Sequence, residues 1–225
     1  NILEKFTKIG WTPSYDDNQK NIIALKKGKE AITLEPGGQI ELSGDQLDNI
    51  HETCEETTNH LRELKKIGDE FNFILLGMGV EPNLKLDDFP WMPKQRYTIM
   101  RKYMEKVGTL GHHMMKRTCT NQVNIDYSSE EDMVNKLRLM LNLEAIATAI
   151  FSNSPFDRGK ISKYKSLRSH FWHHTDPDRT GLLPFVFEQG FNFEKYTDYA
   201  LNVPMYFIKR NHKYIDMTNY TFKDF

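Results

Sequence analysis

The spacing of apolar residues changes period several times along this chain, and each change predicts an element. Ile2, Phe6 and Ile9 stand three or four apart, which predicts a helix over residues 1–11. Residues 21–25 and 30–35 read as two strands joined by the turn Lys26-Lys27-Gly28-Lys29. After Pro36-Gly37-Gly38, Ile40 and Leu42 alternate with Gln39, Glu41 and Ser43, as in a strand with one apolar and one polar face. From Asp45 the period lengthens: Leu47, Ile50, Cys54, Leu61, Leu64 and Ile67 predict a long amphipathic helix with Cys54 on its buried stripe. Residues 72–78 read as a short buried strand, 83–93 as a proline-punctuated loop, and 97–115 as helix broken at Gly108.

The clearest alternation lies at residues 117–127. Thr118, Thr120, Gln122, Asn124 and Asp126 share one face of the predicted strand, and Cys119, Val123, Ile125 and Tyr127 share the other. Ser128 followed by Glu131 is a capping box for a helix to about Ile150. Residues 152–168 are loop-like, 194–201 a short helix, and 204–209 and 213–217 strands. No regular βαβ alternation appears, so the expected fold is α+β, with a mostly antiparallel sheet covered by helices on one side.

Charge narrows the function only by exclusion. Thirty basic and 31 acidic residues leave a net charge of −1, which argues against nucleic acid or an anionic membrane surface as the partner. The apolar runs at 73–80 and 145–151 fall far short of the roughly 20 residues of a membrane helix. Two cysteines, Cys54 and Cys119, cannot build a disulfide scaffold or a zinc ribbon, and a reducing compartment is expected. The chain begins at Asn1 rather than Met and stops at Phe225 on amphipathic sequence, so a piece of a longer protein, cut at both ends, is expected.

Three stretches could carry chemistry. Glu35 and Glu41 flank the Pro-Gly-Gly break, and carboxylate oxygens suit a hard cation such as Mg²⁺; a solvated strand with a bulge fits the same spacing. The neutral polar face of 117–127 suits a polar ligand, or an ordinary edge strand. Residues 168–181 mix His, Asp and Arg. His170 and His174 stand four apart, but the H-E-x-x-H pattern of a zinc hydrolase is missing. Arg168 and Arg179 read better as forks for a carboxylate or phosphate. Cys119 reads as a buried structural thiol. G-x-G-x-x-G, the Walker lysine and G-x-S-x-G are all missing.

Together these segments resemble the glutamate–cysteine ligases of plants and many proteobacteria. The resemblance rests on E-P-G-G-Q-I-E-L-S-G at 35–44, M-P-K-Q-R-Y-x-I-M-R at 92–101 and R-T-C-T-N-Q-V-N-I-D at 117–126. It continues in N-S-P-F at 153–156, L-R-S-H-F-W at 167–172, D-P-D-R-T-G at 176–181, L-P-F-V-F at 183–187 and D-Y-A-L-N-V-P-M-Y-F at 198–207. It spans the chain from about Phe6 onward. It implies a glutamine-synthetase-like fold in which residues 1–225 are part of a single catalytic domain. The implied reaction joins L-glutamate to L-cysteine with ATP and Mg²⁺ or Mn²⁺, through a γ-glutamyl phosphate, as the first step of glutathione synthesis.

The resemblance assigns Glu35 and Glu41 to metal, Arg96 and Arg168 to glutamate's carboxylates, Arg117 more weakly to a phosphate or carboxylate, and Thr120, Gln122 and Asn124 to the glutamate pocket. It places further metal carboxylates on an upstream E-H-E-K-type strand and a nucleotide-closing E-x-R segment downstream, both outside this chain. Met217 stands where plant members carry Cys, and Cys54 matches a plant cysteine whose partner would lie past Phe225, so redox control by disulfides is doubtful. A monomer or homodimer in the cytoplasm is expected, or in a plastid for a plant-like source. The alternatives are a glutamate ligase for another amine, a catalytically dead glutamate-binding module, and, less favoured, a metal-dependent hydrolase using His170, His174 and Asp176.

Overall fold

The computed structural model describes all residues except Asn1, Asp17 and His212. The chain divides into two compact units, one formed by Asn1–Gly77 with Phe89–Lys94 and the other by Met78–Asp88 with Gln95–Phe225. Helices and antiparallel strands are mixed much as the patterning predicts, but two expected strands are exceptions that do not form, and several short elements arise where none was expected.

The first unit opens with α1 (Ile2–Thr7), followed by β1 (Thr12–Tyr15), β2 (Ile22–Lys27), β3 (Glu30–Leu34) and β4 (Ile40–Ser43). These strands form one antiparallel sheet in the order β1-β2-β3-β4. The β2–β3 hairpin turns on Gly28 and Lys29, with Lys27 opposite Glu30. Gly28 takes φ +63°, a backbone that a side chain would strain. The expected hairpin is present; β1 lacks a strong alternation and was not predicted. Helix α2 (Ile50–Phe71) starts at Asn49, whose side chain accepts from the N–H groups of His51 and Glu52, and stops at Asn72 in the left-handed conformation with φ +56°.

The expected core alternation holds. Ile32 faces Leu42 and Leu34 faces Ile40 across β3 and β4. This side packs with Leu3, Phe6, Trp11, Ile22, Leu25, Leu64 and Ile67. Helices α1 and α2 therefore supply the cover of one sheet face. Thr33 lies opposite Glu41 and so points to the other face.

Two expectations on α2 and its exit are corrected. Cys54 is exposed, not on a buried stripe. The helix is buried only at Leu64, Ile67 and Gly68, in its C-terminal half, so the apolar residues near its start have no layer to face. The expected strand at 72–78 is not formed. Asn72 and Phe73 both donate backbone N–H to Gly68 O, which wraps the chain back on the helix end. Ile74, Leu75 and Leu76 are left exposed.

The second unit contains α3 (Gln95–Val107), α4 (Gly111–Arg117), α5 (Glu130–Ile150), the small hairpin β5 (Phe156–Asp157) and β6 (Lys160–Ile161), α6 (Leu167–His173), α7 (Phe193–Asn202) and the hairpin β7 (Phe207–Arg210) and β8 (Lys213–Asp216). Short 3₁₀ turns lie at Leu86–Asp88 and Pro184–Phe187. A small core joins Val80, Leu167 and Phe171 with Leu110 and Met114. The break at Gly108 has a steric cause: a Cβ there would stand 2.1 Å from Thr175 O. The neighbouring N–H groups of Thr109 and Leu110 both donate to His174 O at 3.0 Å. Those contacts dock the α3–α4 corner onto the end of α6.

The strand expected at 117–127 is the second exception. Arg117 is the last residue of α4. Thr118 forms an isolated antiparallel bridge with Val80, and Cys119 N–H donates to Gly79 O at 3.1 Å. Beyond that, residues 119–127 are irregular and exposed. Period-two sequence becomes a strand only where a neighbour completes its ladder, and among the described residues that neighbour ends at Gly79–Glu81. Cys119 is accordingly exposed rather than buried in a sheet. The capping box also shifts by one residue. Ser129 is the N-cap and accepts from Asp132 N–H at 3.1 Å, while Ser128 bonds back to the Asp132 carboxylate. Among the described residues no helix is long and apolar enough to cross a membrane.

Candidate functional site

In the first unit, the E-P-G-G-Q segment forms the β3–β4 turn. Glu35 N–H donates to Gln39 O and Gly38 N–H to Glu35 O, both at 2.8 Å, and the Gln39 side chain accepts from Gly37 N–H at 2.8 Å. Gly38 has φ +89°, and a Cβ there would stand 3.4 Å from Met92 Cε. That is ordinary contact distance, so the positive φ is what calls for glycine here; the turn lies against the chain's own 89–94 segment, where Met92 N–H donates to Pro36 O at 3.0 Å.

Glu35 is half-buried and accepts from the Thr33 hydroxyl at 3.3 Å. Glu41 is exposed beside Thr33 in the register. Thr33, Glu35 and Glu41 therefore belong to the sheet face away from α1 and α2. Two carboxylates with a hydroxyl beside them, and neither nitrogen nor sulfur, form a donor set suited to Mg²⁺ or Mn²⁺ rather than Zn²⁺. Among the described residues no three His, Cys, Asp or Glu side chains come together as a metal site. The pair by itself would supply only part of a coordination shell, as is usual for Mg²⁺, which keeps waters and takes phosphate oxygens.

In the second unit, α5, α6 and the loop after α6 enclose a cleft of about 360 Å³, lined among others by Glu144, Thr148, Arg168, Trp172, Arg179 and Thr180. Helix α6 is short because Ser166 caps one end, accepting from Ser169 N–H, and His174 folds back at the other, its N–H on Phe171 O. Leu167 and Phe171 anchor it in the core. That anchoring turns the next residue, Arg168, toward the cleft with its guanidinium 5.5 Å from the Trp172 ring. Among the described residues Arg168 Nε is buried without a hydrogen-bond partner, and desolvation pulls the guanidinium pKa below its ordinary value. A half-desolvated cation of this kind is poised for an anion.

Arg179 reaches the same cleft but is already held. It donates to Asp176 Oδ2 at 2.7 Å, to the Tyr103 hydroxyl at 3.3 Å and to Pro204 O. Its guanidinium stacks 4.0 Å from the Tyr206 ring centre. Asp176 is 1% exposed and also accepts from Tyr206 and from Asp178 N–H. Burial first, with the Asp176 charge, pushes the Tyr206 hydroxyl well above its usual pKa, so it remains a donor.

The hydrolase alternative loses its residues here. Asp176 is consumed by Arg179 and Tyr206. His174 Nδ1 is 2.9 Å from His170 O, and the His170 ring stacks on Tyr164 at 4.0 Å.

Arg117 is 1% exposed and its guanidinium is engaged inside the fold. It donates to Asp157 Oδ1 at 2.8 Å and Glu81 O at 3.1 Å, and stands 3.1 Å from His113 Nδ1. Arg96 lies near the start of α3, half-buried against Tyr97 at 5.2 Å, and is not part of the cleft lining. Thr120, Gln122 and Asn124 sit in the irregular 119–127 segment. Gln122 donates to Asn124 at 3.0 Å, and the Thr120 hydroxyl donates to Asn121 O at 3.0 Å. Of the residues that the resemblance assigns to the site, Arg168 lines this cleft, and Arg179, the other arginine expected to bind an anion, lines it too. Although the Cys119 residue is exposed, the protein atoms crowded around its thiol raise the pKa more than the Arg168 charge lowers it, the opposite of an activated nucleophile.

Sequence reading missed Glu144, Thr148 and Trp172. A usable signal existed for the first: Glu144 is the only charged residue between Arg138 and Asp157.

The family model for glutamate-cysteine ligase family 2 matches residues 7–225. The chain is 56% identical over 218 residues to glutamate–cysteine ligase B, chloroplastic, of Oryza sativa subsp. japonica, covering 97% of this chain and 44% of that protein. It is 57% identical over 204 residues to the chloroplastic glutamate–cysteine ligase of Arabidopsis thaliana, covering 91% of this chain and 39% of that protein. The Medicago truncatula chloroplastic enzyme is likewise 57% identical over 205 residues, 91% of this chain and 40% of that protein. The chain thus spans less than half the length of the curated relatives it matches. By its match over nearly all of its residues, the chain belongs to glutamate–cysteine ligase family 2.

Proposed function

We propose that this chain is the glutamate-binding part of an ATP-dependent glutamate–cysteine ligase, and that both units belong to one catalytic domain of glutamine-synthetase-like fold. The observation that carries the reading is Arg168: a guanidinium held in a cleft of ligand size, partly desolvated, with Nε lacking a partner. Arg168 lies within the L-R-S-H-F-W string of a chain that matches the family throughout. A planar guanidinium grips a carboxylate by two parallel bonds, which fixes the orientation of glutamate before its γ-carboxylate accepts phosphate from ATP. Arg179, locked by Asp176, Tyr103 and Tyr206, lines the same cleft with its charge offset by Asp176. The amine of cysteine then displaces phosphate from the γ-glutamyl phosphate, and ADP, phosphate and γ-glutamylcysteine leave.

Glu35 and Glu41 would hold Mg²⁺ or Mn²⁺, which when bound offsets the charge of the transferring phosphoryl group. Arg117 we assign to positioning, since its guanidinium is spent on Asp157 and Glu81. Thr120, Gln122 and Asn124 would join the glutamate pocket through strand pairing of 119–127. The relatives are named chloroplastic, which favours a plastid over the cytoplasm for this enzyme.

In the full-length enzyme, Arg168→Lys should raise the glutamate KM about tenfold or more and leave the ATP KM unchanged, because lysine cannot fork onto a carboxylate. Arg96→Lys should raise it less, since Arg96 is outside the cleft lining. An unchanged glutamate KM with a raised ATP KM would assign Arg168 to the nucleotide instead. The 225-residue chain by itself should release no ADP when given ATP, Mg²⁺, glutamate and cysteine, because phosphoryl transfer needs more carboxylates than Glu35 and Glu41. Cysteine-dependent ADP release by the isolated chain would show the catalytic set to be complete within it.

A further inference from the structure

Helix α5 has no buried residue, yet Glu144 and Thr148 on it are half-buried. They stand four apart, on one helical face, and both line the cleft that contains Arg168. Among the described residues Glu144 makes no ion pair or hydrogen bond, and the Arg168 guanidinium makes none either. Two opposite charges are therefore drawn partly out of water at one cleft without compensating each other. Groups so placed are satisfied by a ligand that carries both signs. A cleft of about 360 Å³ suits a small molecule of that kind.

We propose that Glu144 accepts the α-ammonium group of the bound amino acid while Arg168 holds a carboxylate, so that the cleft reads a zwitterion rather than a simple diacid. The proposal rests on the glutamate reading of the cleft and adds to it a residue that discriminates for the amine. Thr148, one helical turn on, offers a hydroxyl to the same end of the ligand. The proximity of a fixed carboxylate also keeps the α-amine protonated, and so out of competition with the amine of the second substrate.

The test compares glutamate with glutarate, which has both carboxylates and no amine. In the full-length enzyme, Glu144→Gln should weaken glutamate about tenfold or more, the worth of a charge-assisted hydrogen bond, and leave inhibition by glutarate unchanged. Arg168→Lys should weaken both. If Glu144→Gln leaves glutamate binding unchanged, or weakens glutamate and glutarate alike, the assignment of the ammonium to Glu144 is wrong. If Arg168→Lys weakens neither, the glutamate reading of the cleft fails and the inference falls with it. Should the Gln variant lose helix by circular dichroism, Glu144→Asp applies the same comparison, with a smaller loss for glutamate only.

Discussion

Glu41→Gln in the full-length enzyme should reduce ligase turnover about a hundredfold or more while leaving the fold intact. The substitution is isosteric and lies at an exposed position of β4, facing Thr33 across the strand pair on the side away from the helical cover. No core contact is touched, since Ile40 and Leu42 supply those. On the proposed reading, what changes is one negative oxygen of the set that would hold the Mg²⁺ or Mn²⁺ whose charge offsets that of the phosphate. A loss of about 3 kcal/mol of transition-state stabilisation corresponds to roughly a hundredfold in rate. Raising Mg²⁺ should restore part of the rate if the defect is in metal affinity. Activity within a fewfold of wild type, with unaltered Mg²⁺ dependence, would remove Glu41 from the site.

Asp157→Ala should destabilise the second unit by about 3 kcal/mol, because it strands the Arg117 guanidinium inside the fold. The Arg117 side chain is fully buried and Asp157 is 23% exposed, so the partner left behind is the costlier one to orphan. The pair joins the end of α4 to the β5–β6 hairpin, and Arg117 also reaches Glu81 O. Burial alone would raise the Asp157 carboxyl, but the hydrogen bond and charge of Arg117, aided by Arg158, outweigh it and hold its pKa below the ordinary 3.8. The sign follows from linkage: a depressed folded-state pKa contributes stability at pH values above the unfolded 3.8, and that contribution is lost as pH falls through the folded value. Urea titration of wild type and Asp157→Ala should therefore show a gap near neutrality that narrows below about pH 4. Equal stability of the two at pH 7 would mean that Arg117 finds another partner.

Much of the fold was legible because local pattern and packing agree there. Ile32, Leu34, Ile40 and Leu42 alternate in sequence and face one core in the sheet. Asn49 and Asn72 bound α2 by side-chain and left-handed caps, both local effects. Residues 119–127 mark where such reading stops. Their alternation is the strongest in the chain, but a ladder needs a second strand, and no single-strand pattern states where that strand is. Cys54 fails for a related reason: the stripe was real, but only the last turns of α2 meet the sheet.

The site divides in the same way. Arg168 was named by motif and stands in the cleft. Arg117, which the resemblance assigns more weakly, is engaged inside the fold, because a guanidinium suits a half-buried aspartate as well as a ligand carboxylate. Glu144 escaped notice because α5 shows the spacing of an ordinary helix, and only the cleft whose lining α5 shares with α6 and the loop after it gives that carboxylate something to face.

The most direct test of the central claim is the stoichiometry of ADP release by the full-length enzyme with glutamate and cysteine supplied singly and together. The account predicts sustained ADP release only when both are present, with one γ-glutamylcysteine formed per ADP. It also predicts that the glutamate concentration for half-maximal rate rises in Arg168→Lys. Steady ADP release without cysteine, or glutamate binding with no ADP release under any condition, would contradict it.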